Sequence, residues 1–161
     1  MPQRLVLITR GLPHCSQSSP LGFGGLAGGT VTESQVVVAF ETTVAGELGT
    51  MNFTFVSTNV LQANASVVIA LPSGYNVSRV PAELSDASGR TYAVEAIDDR
   101  TLRVHLGNNA PLAPGKVLDT LIVPNVQNSA CACAQDPIAV RTEDASGTLI
   151  DGPVSLVSSA L

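Results

Sequence analysis

From Val31 onward the chain falls into short segments in which apolar and polar residues alternate, each closed by turn-forming residues. Met51, Phe53 and Phe55 alternate with Asn52, Thr54 and Val56. Val67, Ile69 and Leu71 alternate with Ser66, Val68 and Ala70, and Leu102, Val104 and Leu106 with Thr101, Arg103 and His105. Further apolar runs lie at Gln35–Phe40, Tyr92–Ile97, Lys116–Val123, Ile138–Thr142 and Thr148–Ile150. A strand sends successive side chains to opposite faces, so a two-residue period with one apolar row describes a half-buried strand. No window shows the 3.6-residue period of a helix. The segments recur about every dozen residues with Gly, Pro, Asn and Asp between them, the spacing of a sandwich. We expect an all-β fold: an antiparallel β-sandwich of seven to nine strands, immunoglobulin-like or jelly-roll, over residues 31–161. Asp98-Asp99-Arg100 reads as a hairpin turn between two of these strands.

The composition supports this and narrows the function. Apolar residues make up 45% of the 161-residue chain, enough for a core. Charged residues are only 13%, about half the usual share. The net charge of −5 argues against nucleic acid, which recruits clustered Lys and Arg. No apolar run is long enough to form a membrane-spanning helix.

Residues 1–30 are different. Leu5, Val6, Leu7, Ile8 and Thr9 form a short apolar, β-branched run. It is shorter than the core of about 7–15 residues found in a signal peptide. Gly11–Thr30 is rich in Gly, Ser and Pro without periodicity and reads as an extended arm or linker. Such a linker reaches roughly 25 Å on average and about 66 Å when extended. It could bring Leu5–Thr9 to the sheet of a neighbouring copy, or the run could pair within its own domain. The C-terminal stretch from Pro153 could play the same part, or be the last strand of its own sandwich.

Three N-x-[ST] sequons, at Asn52, Asn64 and Asn76, point to an extracellular glycoprotein. Alternation puts Asn52 on the outward row of its strand, Asn64 outward or in the preceding loop, and Asn76 in a loop. The three cysteines, Cys15, Cys131 and Cys133, are disulfide candidates, with one thiol left over or shared between chains. A zinc site would need a fourth ligand, and His14 is the one residue placed to supply it.

The chemical inventory is thin. His14 lies in the linker, and His105 shares an outward row with Thr101 and Arg103. No nucleophile elbow, zincin helix or phosphate-cradling loop occurs. The pairs Asp98/Asp99 and Glu143/Asp144 could bind calcium but read as charged turn tips. Phe40, Phe53 and Phe55 read as core, which leaves Phe23, Tyr75 and Tyr92 as aromatics that could stack on a sugar. No catalytic residue, cofactor or metal is expected.

Three stretches carry a family resemblance. They are Val67–Tyr75 (VVIALPSGY), Leu121–Asn125 (LIVPN) and Val140–Asp151 (VRTEDASGTLID). A strand ending in Pro-Ser-Gly, a strand running into an Asn turn and a closing T-x-D-x-x-G-x-x-I-D hairpin resemble the extracellular β-sandwich repeats of surface and filament-forming proteins. The resemblance implies a structural or adhesive role and no active site. The expectation is a structural subunit of an extracellular, glycosylated filament or fibril, joined to copies of itself in a helical assembly by donor-strand addition. The alternative is a carbohydrate-binding or adhesive module of a larger cell-surface protein.

Overall fold

The computed structural model describes residues 29–30, 36–41, 44–107, 117–130 and 136–156. They form the expected all-β sandwich. Nine strands have three or more residues: β2 (Val36–Phe40), β3 (Leu48–Val56), β4 (Ser66–Ala70), β5 (Glu83–Ser85), β6 (Thr91–Asp98), β7 (Thr101–His105), β8 (Val117–Gln127), β9 (Ile138–Glu143) and β10 (Leu149–Leu156). A two-residue strand, β1 (Gly29–Thr30), precedes them, inside the stretch read as arm. One sheet runs β1-β10-β9-β4-β7-β6-β5 and the other β2-β3-β8. Every ladder is antiparallel except β1 on β10.

The alternating rows build the core. Met51, Phe53 and Phe55 are fully buried, with Phe53 and Phe55 stacked at 6.5 Å between ring centroids. Facing them are Val67, Ile69 and Leu71 and Leu102, Val104 and Leu106, the residues the period-two pattern singled out. Asp98-Asp99-Arg100 does turn β6 into β7, and Asp98 Oδ1 accepts the Arg100 N–H at 2.8 Å.

Three expectations are corrected. The second row of β4 is not exposed: Val68 is 0% and Ser66 3% accessible. β4 is central, and in register Val68 lies between Arg103 and Arg141, whose long stems can cover it. Tyr92 is no surface aromatic; it is buried, with its hydroxyl on Asp86. Glu143 is no turn tip; it is buried at the end of β9 between two arginines.

The last strand runs through Gly152-Pro153 to Leu156, so residues 153–156 of this C-terminal stretch belong to their own sandwich; residues 157–161 lie outside the described residues. Proline has no N–H to give to a ladder, and the β10–β9 register shifts between Asp151 and Val154. β5 escaped the sequence reading because three residues are too few to show a period.

Candidate functional site: sheet edges and glycan acceptors

A sandwich has two sides where the sheets could open, and here they differ. On the side of β5 and β8 the sheets are stitched together. Asp86 bridges to Leu121, the Ala87 N–H donates to the Thr120 carbonyl at 2.9 Å, and Asn76 and Gln127 exchange backbone bonds of 3.1 and 2.9 Å. On the side of β2 and β10, no described residue joins the sheets through an equivalent ladder. β10 is eight residues long, and among the described residues β1 covers it only at Asp151 and Gly152. β2 pairs with β3 alone among the described strands. Val38 and Phe40 on β2, and Ile150 and Leu156 on β10, remain only partly buried. Phe40 is flanked by Tyr75 at 5.1 Å between ring centroids. Leu5, Val6, Leu7, Ile8 and Thr9, the candidate strand for such an edge, lie outside the described residues, as do His14, Cys15, Phe23, Cys131 and Cys133.

The three acceptor asparagines sit in three different settings. Asn52 is half-buried on the outward row of β3, and its amide donates to Glu41 Oε1 at 3.2 Å. Its sequon hydroxyl, Thr54 Oγ1, is 3.1 Å from Thr120 Oγ1. Asn64 is exposed in the loop before β4, at a left-handed φ of 65° that asparagine tolerates. Its sequon serine, Ser66, is nearly buried within the sheet. Asn76 Oδ1 accepts both the N–H and the hydroxyl of Ser78, at 2.8 and 2.6 Å, and so folds its sequon into a turn.

Asn64 also lines an open polar cleft of about 240 Å³, with Ser66, Arg103, His105, Glu143 and the 144–147 turn. Its floor is an ion-pair ladder across three strands. Arg103 bonds Glu95 and Glu143, both at 3.2 Å, and Arg141 Nε bonds Glu143 at 2.7 Å. Ser66 pairs in register with His105 and with Glu143. His105 Nε2 is 3.8 Å from Glu95, while both oxygens of Glu143 accept from arginines. The ladder therefore neutralises itself, and its charges are engaged with one another.

The acidic turns answer their own backbones. Asp144 Oδ1 accepts the N–H groups of Ser146 and Thr148, each at 2.8 Å, and the Ser146 hydroxyl at 2.6 Å. Asp86 repeats the arrangement with Ser88 and Arg90. The bonds from Ser146 and Thr148 hold the Asp144 carboxyl below its ordinary range; for Asp98 the Arg100 N–H does the same. Burial pushes Asp86 the other way, but the bonds from Ser88, Tyr92 and Arg90 outweigh it and the net shift is downward. Among the described residues no three His, Cys, Asp or Glu side chains gather as a metal site.

Sequence reasoning missed two buried polar stitches. One is Asp86 with the Tyr92 hydroxyl. The other is Asp151, which accepts from Asn59 and from Thr142 Oγ1, while its own N–H donates to Thr142 Oγ1. A signal was present: Asp-Ala-Ser-Gly occurs twice, at 86–89 and 144–147, and Thr142 and Asp151 begin and end the closing motif. No family model, curated protein or solved structure matches this chain.

Proposed function

We propose that this protein is a structural subunit of an extracellular filament or surface appendage, joined to its neighbours by β-strand addition. The observation that supports it is the asymmetry of the sandwich among the described residues: one side is stitched by bridges between the sheets, and on the other β2 is an edge strand and β10 is covered by the two-residue β1 alone. An unpaired edge offers N–H and carbonyl groups to an incoming strand, and alternate side chains of that strand can complete a partly covered core. Leu5–Thr9 is an apolar, β-branched run long enough for this, and the linker behind it has the reach. Burying such a run at roughly 25 cal/mol per Å² favours docking by several kcal/mol before ordering costs. A head-to-tail contact of this kind propagates into an open helical array unless it closes a ring.

The carbohydrate-binding alternative needs exposed rings. Tyr92 is in the core and Tyr75 is half-buried beside Phe40, so the described aromatics do not form a platform.

Deletion of residues 1–12 tests the proposal by electron microscopy and sedimentation. The expected result is a folded monomer and no filaments. Filaments that persist without the arm would overturn strand addition.

A further inference from the structure

We propose that Asn52 carries an N-linked glycan whose first sugars cover the outer face of the three-stranded sheet. This rests on the extracellular part of the reading above, not on strand addition. The two outer faces of the sandwich differ in chemistry. The seven-stranded sheet shows water Glu95, Arg103, His105 and Arg141, with the two arginines bonded to the buried Glu143. On the three-stranded sheet, Asn52 is flanked in register by Ala39 on β2 and Ile122 on β8, and Thr54 by Val37. Val37 is 58% and Ile122 44% exposed. Directly opposed side chains on a sheet face stand about 5 Å apart, so Ala39 and Ile122 flank the acceptor on its two sides, with Glu41 and Thr54 as its polar neighbours. Apolar side chains left open to water beside an acceptor gain from a cover, because burying them is favourable. Here the sequon names the cover. A glycan rooted at the middle of β3 lies over Val37, Ala39 and Ile122, and the C–H faces of its sugars suit them. Asn64 and Asn76 have other settings, in the polar cleft and in a turn.

The chemistry also fixes when the glycan is added. The donor is an oligosaccharide on a polyprenyl pyrophosphate. Asn52 Nδ2 gives up one proton to the transferase's base and bonds to the sugar C1, as the C1–O bond breaks and the lipid pyrophosphate departs. The remaining N–H can still donate to Glu41. In the folded sheet Thr54 Oγ1 is engaged with Thr120 and β3 is paired on both sides, so the transfer must precede closure of β2-β3-β8.

The test is mass spectrometry on protein from its source, cut after aromatic residues, because Phe40, Phe53, Phe55 and Tyr75 place the three acceptors on separate peptides. The expected result is a glycan mass on the Asn52 peptide. Secreted from a glycosylating host, N52Q and T54V should both lose that mass, and T54V keeps the asparagine should N52Q misfold. Enzymatic release of the glycan from the folded full chain, which leaves Asp at 52, should raise apolar-dye binding several-fold, and V37S/I122S should abolish the rise. A bare Asn52 in source material, or unchanged dye binding after release, would overturn the inference. So would a second copy seated on a bare face. Filaments built from subunits with a bare Asn52 would overturn this inference alone; a glycosylated monomer without filaments would overturn only strand addition.

Discussion

Asp86 shows how one side chain can join several parts of a fold. One carboxylate oxygen closes the turn to Arg90 and the other accepts the Tyr92 hydroxyl at 2.8 Å inside the core. Burial raises Tyr92 first, and the bond to Asp86 adds to it, which pushes the phenol up to about 12. The signs follow. Asp86 is held below its unfolded value near 4, so its stabilisation is present above that pH and is lost as pH falls through the folded value. Tyr92 is raised above its unfolded value near 10, so its contribution is intact below pH 10 and is lost as pH rises toward 12. In D86N, chemical denaturation should show a flatter loss of stability below pH 4, together with a cost of about 1–3 kcal/mol at neutral pH. In wild type, phenolate absorbance should rise late, because burial raises Tyr75 as well; Y92F should remove the latest step. The other stitch behaves alike. T142V would leave the Asp151 N–H and a carboxylate oxygen without their partner in a fully buried site, and should lower the unfolding free energy by about 1–3 kcal/mol.

At the scale of elements, the paired Asp-Ala-Ser-Gly turns are nearly superposable in their bonding. Each has a backbone bond from Gly to Asp of 3.0 Å, and the glycines sit at φ of 84° and 82°. A Cβ at Gly89 or Gly147 would meet nothing within 4 Å, so G89A and G147A should each cost about 1 kcal/mol from backbone strain alone. Gly74, at φ 94°, has Ser129 where a Cβ would go, so G74A should cost more than either in the same denaturation assay. The strands themselves were legible because their inward rows are strictly apolar: Met51-Phe53-Phe55 can face only a core. What escaped the sequence was set by position in the sheet. Val68 and Ser66 looked exposed because period two describes one covered face, whereas a central strand flanked by arginines has both faces covered. Tyr92 looked available because a lone carboxylate near a turn gives no hint that it will be buried beside a phenol. The edges that support the proposed docking were not legible at all, since edge status depends on strand order and not on any local pattern.

For the whole molecule, the proposed assembly links stability to concentration. A strand received from a neighbour binds the folded subunit and not the unfolded chain, so it stabilises by mass action. The melting temperature of the full chain should therefore climb with protein concentration, while that of the form lacking residues 1–12 should not. A synthetic peptide spanning residues 3–11 should raise the melting temperature of the truncated form; a version with Leu7 replaced by Asp should have no effect.

The small parallel ladder between β1 and β10 has a mechanical meaning. The first described strand and the last run side by side in the same direction, so the chain leaves β1 and β10 at opposite ends of their contact at Asp151 and Gly152. Tension applied between the two ends would load that clasp in shear, straining its bonds together instead of peeling them one by one. In the proposed filament, a subunit under tension would meet resistance where β1 lies along β10.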